Sequence, residues 1–151
     1  MGTTQGPRRN GAGDDPAGGA GREAPAPARV LVVEDHADIR EIFCRVLELA
    51  GYRVTPAGDG LAGLEAFLSG AFEAVVTDLF LPGLGGQELV SRIRKIRPRT
   101  AIVVLTGLPT DEVLSAAWAG GADEVLVKPL PSLKALPEAV ERALRVRRAA
   151  D

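Results

Sequence analysis

Five short apolar runs, separated by segments of helical periodicity, constrain the fold of this chain more than any other feature. The runs are "VLVV" (30–33), "YRVT" (52–55), "AVVT" (74–77), "AIVVL" (101–105) and "EVLV" (124–127). Four of them are rich in β-branched residues and almost continuously apolar, as strands covered on both faces are, whereas "YRVT" alternates and is typical of an edge strand. Strands that alternate with helices through short connections predict an α/β protein with a parallel sheet and helices on both faces.

The segments between the runs predict the helices. In the first, Asp38 is the expected N-cap, Glu41 completes a capping box and Gly51 ends the helix. Its apolar stripe consists of Ile39, Ile42, Phe43, Val46 and Leu47. Three further helices are expected at about 59–69, 86–96 and 110–119.

The last helix carries Leu136, Val140 and Leu144 on one face. Pro137 lies near its start, so this helix either begins near Leu136 or is kinked there. Five strand–helix units joined by right-handed crossovers leave few topologies, and we expect no second domain.

The first 28 residues differ in composition from the rest of the chain. Glycine, proline and alanine dominate them, and no large apolar residue follows Met1. Such a segment buries too little surface to offset its ordering entropy, so we predict a disordered tail over 1–28 and one globular domain over 29–151.

Charge and cysteine content exclude several classes of protein. The net charge of −2 gives no general attraction for nucleic acid or an anionic membrane, so neither is an expected partner. One cysteine, Cys44, excludes an intrachain disulfide framework. The start of the chain lacks the apolar run of a secretory signal, and the expected location is the cytoplasm.

Polar side chains follow four of the five predicted strands. Glu34 and Asp35 follow the first, Asp78 the third, Thr106 the fourth and Lys128 the fifth. In an open parallel sheet, ligands bind beyond the carboxyl ends of the strands, so we expect these five side chains to converge on one edge.

This combination has a definite chemistry. Three close carboxylates repel one another, and at least one would take up a proton unless a cation lay among them. Mg²⁺ is the best candidate, because it binds one or two carboxylates together with water and phosphate oxygens. Lys128 and Thr106 would contact the remaining phosphoryl oxygens, and Asp78, at a strand end, is the best-placed nucleophile for accepting a phosphoryl group.

Four segments of the chain resemble the receiver domain of two-component response regulators. They are "VLVVEDHADIR", "VVTDLFLPGLGG", "VVLTG" and "GADEVLVKPL", in the order and spacing of that family, and the resemblance spans about 29–146. It implies a flavodoxin-like (βα)5 fold with strand order 2-1-3-4-5, and a cis bond between Lys128 and Pro129.

The resemblance also implies roles for the residues at the strand ends. Asp78 would be phosphorylated by a sensor histidine kinase or a histidine phosphotransferase. Asp35 and Asp78 would bind Mg²⁺ directly, Glu34 would act through water, and the backbone carbonyl of Phe80 would be a further ligand. Lys128 would hold the phosphoryl oxygens, and Thr106 would move toward them on activation.

Three positions bear on how such a domain would signal. Val125 stands where the family usually has an aromatic residue that rotates on activation, so the usual coupling of hydroxyl and aromatic motions is in doubt. Phe80 and Leu108 flank the path of the water that hydrolyses the phosphorylated aspartate in this family, and apolar side chains there imply slow hydrolysis.

Two residues have less specific interpretations. His36, the single histidine of the chain, follows the acidic pair, but a lone histidine lacks the partners of a histidine metal site, and a partly exposed loop residue is the preferred interpretation. Trp118, on the fourth helix, is either a contact residue for a partner or plainly half-buried.

The leading hypothesis is a single-domain phosphoacceptor that is not an enzyme. It would signal to an unknown target through its fourth helix, fifth strand and fifth helix, because no output domain follows them. The alternative is an interaction module that works without phosphorylation. A phosphohydrolase is rejected because Phe80 replaces the second acid, and a dinucleotide-binding domain because "VVEDHADIR" lacks a glycine-rich turn.

Overall fold

The computed structural model describes residues 26–150, which form one parallel sheet with helices on both faces. The strands are β1 Arg29–Val33, β2 Arg53–Ala57, β3 Ala74–Asp78, β4 Ala101–Thr106 and β5 Glu124–Val127. The helices are α1 Ala37–Leu49, α2 Gly60–Ser69, α3 Gly86–Ile96, α4 Asp111–Ala119 and α5 Ala135–Ala149. The order β2–β1–β3–β4–β5 confirms the flavodoxin-like prediction, and the bond between Lys128 and Pro129 is cis, as expected.

Each face of the sheet has its own apolar core. On one face the strands pack against Phe43 and Leu47 of α1 and Leu136 and Val140 of α5. On the other face they pack against α2, α3 and α4, with Phe67 fully buried. The central strands β1, β3 and β4 are buried almost throughout, which explains their uninterrupted apolar sequences.

The two edge strands are less buried than the three central ones. β2 lies at an edge, as its alternating sequence predicted, and it tolerates Pro56 there. β5 lies at the other edge, and it is covered on both faces only in part, with Val125 packed against one core and Leu126 against the other. Its residues are half-buried or exposed because only one neighbouring strand, β4, pairs with it.

Helix α1 starts differently from the prediction. His36, not Asp38, is its N-cap, and Asp38 lies in the first turn without capping the helix. The backbone amide of His36 is already bound to the Glu34 side chain, which turns the chain into the helix two residues early. Ile42 of the predicted stripe is 46% exposed, so the buried face of α1 is narrower than expected.

The other predicted helix ends agree with the structure. Asp59 caps α2 by accepting a hydrogen bond from the amide of Ala62, and Thr110 caps α4. Helix α5 begins at Ala135, so Pro137 lies in its first turn, where a missing N–H leaves no helical hydrogen bond unmade. The helix therefore starts near Leu136 and needs no kink.

Most of the predicted disordered tail, residues 1–25, lies outside the described residues, and the domain division stays a prediction. Ala28 is buried, and its carbonyl accepts a hydrogen bond from the amide of Arg53 beside β2. None of the helices within 26–150 combines the length and the apolar character needed to traverse a bilayer.

Candidate functional site

The carboxyl edge of the sheet brings together polar residues from separate strands. Asp78 is the last residue of β3, and Glu34 follows β1 directly. Both are buried, and the Glu34 side chain is 0% exposed. Asp35 follows Glu34 and is partly exposed, while Lys128 follows β5 at the edge of the sheet. Two of the three central strands, β1 and β3, therefore end in a cluster of acids, whereas β4 ends in Thr106.

Lys128 joins two of these carboxylates. Its Nζ atom lies 2.9 Å from Asp78 Oδ1 and 3.2 Å from Glu34 Oε1. The contact with Glu34 is a hydrogen bond, whereas the contact with Asp78 is close in distance but lacks hydrogen-bond geometry. Asp78 Oδ1 is the one buried side-chain nitrogen or oxygen atom, among the described residues, that has no hydrogen-bond partner.

One ammonium group shared by two buried carboxylates leaves an excess of negative charge. Burial and the adjacent Glu34 carboxyl raise the pKa of Asp78, although Lys128 opposes them. Burial also acts to raise the pKa of Glu34, but its interactions with Asp78, with the His36 amide and with the Lys128 ammonium outweigh burial and lower that pKa. Burial disfavours the charge on Lys128, yet the two carboxylates raise the pKa of its ammonium. Asp78 is thus the carboxyl group that most needs a further cation or a proton.

The donor atoms at this edge fit a hard divalent cation. Oxygen atoms of Glu34 and Asp35 and a ring nitrogen of His36 all lie within 4.8 Å of one another. His36 Nδ1 is 3.2 Å from Glu34 Oε2 and 3.4 Å from Asp35 Oδ1. Asp78 adds a buried carboxylate oxygen that has no hydrogen-bond partner and would be stabilised by a cation. The residues present therefore suit Mg²⁺, which prefers oxygen ligands.

Sequence reasoning missed the contact that His36 makes with the acidic pair. The His36 side chain is 69% exposed, as expected for a loop residue, but its ring lies against Glu34. Arg40 adds a second contact, because its Nη1 donates to the Glu34 carbonyl at 2.8 Å. The position of His36 directly after two acids was the signal available in the sequence.

Thr106 lies at the expected edge, but its hydroxyl faces its own loop. The amide of Leu108 donates to Thr106 Oγ1 at 3.0 Å. Within 26–150, no hydrogen bond joins this hydroxyl to Asp78 or Lys128, although the amide of Lys128 donates to the Thr106 carbonyl. The structure therefore places Thr106 beside the acidic cluster without engaging it.

The loop after Asp78 is closely packed against the strand end. A Cβ atom on Gly86 would lie 2.0 Å from the Asp78 carbonyl oxygen, so only glycine allows α3 to begin there. The amide of Gly86 donates to the Leu79 carbonyl, and Gly83 has a φ of 73°, which favours glycine. Phe80, in the same loop, is 58% exposed, and its carbonyl accepts no backbone hydrogen bond from the described residues.

Comparison with known proteins identifies the family. The family described as "Response regulator receiver domain" matches residues 30–141. The chain belongs to this family. Receiver domains generally bind Mg²⁺ at an acidic pocket and interact with histidine kinases or phosphotransferases and with downstream targets.

Relatives of this receiver domain come from several bacteria. It is 39% identical over 103 residues to the transcriptional regulatory protein TcrA of Mycobacterium tuberculosis, covering 67% of this chain and 40% of TcrA. It is 36% identical over 126 residues to the transcriptional activator protein PfeR of Pseudomonas aeruginosa, covering 82% of this chain and 41% of PfeR. The matched region thus spans less than half the length of either relative.

Solved receiver domains show the same fold over almost their whole length. The crystal structure of a CheY-like response regulator receiver domain protein from Methanospirillum hungatei superposes with a TM-score of 0.77 at 27% identity. That match covers 83% of this chain and 99% of the solved one.

Proposed function

We propose that this receiver domain accepts a phosphoryl group on Asp78 from a sensor histidine kinase or a histidine phosphotransferase. The reaction would depend on Mg²⁺, and the domain would signal through altered contacts with a downstream protein. The single observation that carries the proposal is the 2.9 Å approach of Lys128 Nζ to Asp78 Oδ1, at a buried strand end beside two further acids. A buried carboxylate in such surroundings is a group that gains from new positive charge.

In the proposed reaction a carboxylate oxygen of Asp78 attacks the phosphorus atom of the phosphohistidine. The P–N bond breaks as the O–P bond forms, and the imidazole leaves with the electron pair. Lys128, already within 3.2 Å of both buried acids, would pair with a phosphoryl oxygen after transfer. Thr106 would exchange its contact with Leu108 for another phosphoryl oxygen.

The same residues would hold the metal ion. Asp35, Asp78 and the Phe80 carbonyl would be direct ligands, and Glu34 would act through water. Bound Mg²⁺ neutralises charge on the carboxylates and on the transferring phosphoryl group. Two observations on residues 26–150 support this assignment: the Phe80 carbonyl accepts no backbone hydrogen bond from them, and Asp78 Oδ1 has no hydrogen-bond partner among them.

The test is incubation of the protein with a small-molecule phosphodonor such as acetyl phosphate, with and without Mg²⁺, followed by intact mass spectrometry. We expect the mass to increase by one phosphoryl group in the presence of Mg²⁺ and to stay unchanged in Asp78→Asn. Asp59→Asn is the matched control, because Asp59 is an exposed helix cap that asparagine also fills. Phosphorylation of Asp78→Asn, or none of the parent protein, would contradict the proposal.

The proposed output surface consists of α4, β5 and α5. Trp118 on α4 is 49% exposed and Val127 on β5 is 37% exposed, so this side offers apolar area to a partner. Thr106 of β4 pairs with Val127 of β5. A movement of Thr106 on phosphorylation would therefore shift β5 relative to β4 and change this surface.

A second candidate is an interaction module that works without phosphorylation. It is favoured by Val125, which packs against the core and carries no aromatic ring that could rotate between buried and exposed positions. The discriminating measurement is binding of the cognate partner, with and without the phosphodonor. The second candidate is favoured if phosphorylation leaves the partner affinity of the parent protein unchanged but alters that of Val125→Tyr. If the partner affinities of the two proteins are equal, Val125 has no role in the switch.

A further inference from the structure

We propose that a cavity at the amino-terminal edge of the sheet binds a small molecule that carries two or more linked phosphate groups. This cavity has a volume of about 360 Å³ and lies between the segment before β3, the turn from α3 to β4, and the end of α5. We call it the basal cavity. Its charged lining residues are Glu73, Arg97, Arg99, Arg147 and Arg148.

The basal cavity is rich in positive charge. Four guanidinium groups and one carboxylate line the basal cavity, and Asp123 behind it pairs with Arg147, so the positive groups still outnumber these two acids. Like charges gathered in a concavity repel one another and concentrate an attractive field for anions. All four cations are arginines, whose planar fork of donors matches phosphate oxygens in pairs, as lysine does not.

Two of these arginines are held in place by other contacts. The guanidinium of Arg97 lies over the Phe67 ring, with Cζ 4.8 Å from the centroid, and donates to the Phe67 carbonyl at 3.0 Å. Arg147 donates to both oxygens of the Asp123 carboxylate, at 2.9 and 3.1 Å. Side chains fixed before a ligand arrives lose little entropy when they bind it.

The acid at the rim of the basal cavity, Glu73, can be displaced. Arg148 Nη2 lies 3.5 Å from Glu73 Oε2, and the two side chains are 64% and 50% exposed. An exposed pair of this kind contributes little stability, so a phosphate group can replace the carboxylate beside Arg148. Phe72 and Leu144 close the cavity with apolar atoms.

The size of the cavity decides between ligand classes. A volume of about 360 Å³ suits a small molecule and is at the lower end of the range for ligand pockets. Four arginines exceed what one phosphate group needs, which favours linked phosphates over orthophosphate. The basal cavity lies at the opposite end of β3 from Asp78, so binding there requires neither Asp78 nor a divalent cation.

The test is titration of the full chain with inorganic pyrophosphate in the absence of divalent cations, followed by calorimetry and by amide NMR shifts. Orthophosphate is the single-phosphate comparison, and uridine diphosphate is the nucleotide comparison. We expect pyrophosphate to bind at least about tenfold more tightly than orthophosphate. If uridine diphosphate binds more tightly than pyrophosphate, the natural ligand is a nucleotide. If uridine diphosphate and pyrophosphate bind equally tightly, the cavity recognises the linked phosphates alone. The largest amide shifts should fall at Glu73 and Thr100, which line the cavity.

Variants locate the binding. Arg97→Gln and Arg148→Gln should each weaken pyrophosphate binding by about tenfold. Arg145→Gln is the matched control, because Arg145 is an exposed arginine of α5 that pairs with Glu141 outside the cavity. Asp78→Asn should bind pyrophosphate as the parent protein does. Equal loss in Arg145→Gln, equal affinity for orthophosphate and pyrophosphate, or no binding at millimolar ligand would overturn the proposal.

Discussion

Asp78 is the residue at which burial and function conflict most. Its carboxyl group is almost fully buried, touches the Glu34 carboxyl, and has one oxygen that lacks a hydrogen bond. Lys128 compensates only part of this charge, because it also serves Glu34. An arrangement of this kind costs folding free energy that a well-packed neutral residue would not.

Asp78→Asn should therefore stabilise the protein when no divalent cation is present. Asparagine keeps the shape of the side chain and removes the repulsion with Glu34, so we expect the free energy of unfolding to rise by about 1–3 kcal/mol. Lys128→Gln should change it in the opposite direction by a similar amount, because Glu34 would lose its cation. Urea unfolding in a chelating buffer measures both.

Added Mg²⁺ provides the control for this pair of variants. It should raise the free energy of unfolding of the parent protein, because it binds the folded state, and should do so much less for Asp78→Asn. A destabilised Asp78→Asn variant in chelating buffer would show that the Asp78 carboxylate is well satisfied in the folded protein and does not need a further cation.

Phe80 and Leu108 should control how long the phosphorylated state lasts. Both side chains are largely exposed beside the strand ends, 58% and 49% respectively, and neither can orient a water molecule. The double variant Phe80→Asn, Leu108→Glu should lose its phosphoryl group faster, by about tenfold, which corresponds to about 1.4 kcal/mol in the barrier. Decay of the phosphorylated mass after removal of the phosphodonor measures this rate. An unchanged or longer lifetime in the double variant would mean that these side chains do not limit hydrolysis.

At this scale the sequence predicts positions better than contacts. The strand ends predicted that Glu34, Asp78 and Lys128 would meet, because parallel strands end at a common edge. The sequence did not predict that the Thr106 hydroxyl would accept a hydrogen bond from the Leu108 amide, since a hydroxyl rotates to whichever partner its loop offers. The contact of His36 with Glu34 likewise depends on the turn into α1.

At the scale of elements, the connection from β3 to α3 matters most, because it carries Phe80 and begins at Asp78. Gly83 adopts a φ of 73°, and Gly86 touches the Asp78 carbonyl oxygen. Gly60, the first residue of α2, packs against the Leu84 carbonyl of the same connection. These close backbone contacts hold the loop beside the proposed metal site.

Gly86→Ala should destabilise the domain strongly, because the new Cβ atom would lie 2.0 Å from the Asp78 carbonyl oxygen and 2.8 Å from Leu79 atoms. Backbone atoms cannot move aside cheaply, so we expect a loss of about 3 kcal/mol or more in the free energy of unfolding. Gly85→Ala is the matched control, since no atom lies within 4 Å of the added Cβ. We expect it to cost about 1 kcal/mol at most, the price of a poorer N-cap. Equal losses in urea unfolding would show that the packing at Gly86 is not decisive.

Element boundaries show where local sequence information ends. Asp59 and Thr110 cap their helices as predicted, because a side-chain cap is a local interaction. Asp38 does not cap α1, because Glu34 takes the His36 amide first, and that contact depends on how β1 ends. Coverage of β5 is likewise set by the tertiary fold, since an edge strand and an inner strand can have the same apolar sequence.

At the scale of the whole molecule, the two ends of the sheet differ in how their charges are satisfied. At the carboxyl edge, Lys128 serves two buried acids and Asp78 is left incompletely satisfied. At the amino edge, Asp123 is 5% exposed and pairs with both Arg94 and Arg147 at 2.8 Å. Asp123 also accepts a hydrogen bond from the Ile102 amide of β4. The amino edge therefore contributes stability through the satisfied charge of Asp123, whereas the carboxyl edge holds the incompletely satisfied carboxylate that is proposed to be phosphorylated.

Asp123→Asn should separate the stability of the fold from the phosphorylation of Asp78. It removes the shared charge between α3, α5 and the start of β4, and leaves Arg94, which is 15% exposed, buried without its anion. We expect the free energy of unfolding to fall by about 3–5 kcal/mol. Glu124→Gln is the matched control in the neighbouring residue. Its exposed pair with Arg142 should contribute about 1 kcal/mol at most.

Because Asp123 lies far along the strands from Asp78, the folded fraction of Asp123→Asn should still gain one phosphoryl group from acetyl phosphate and Mg²⁺. Equal stability of the two variants would show that the amino edge does not carry the fold, and loss of phosphorylation in a still folded Asp123→Asn would show that the two ends are coupled.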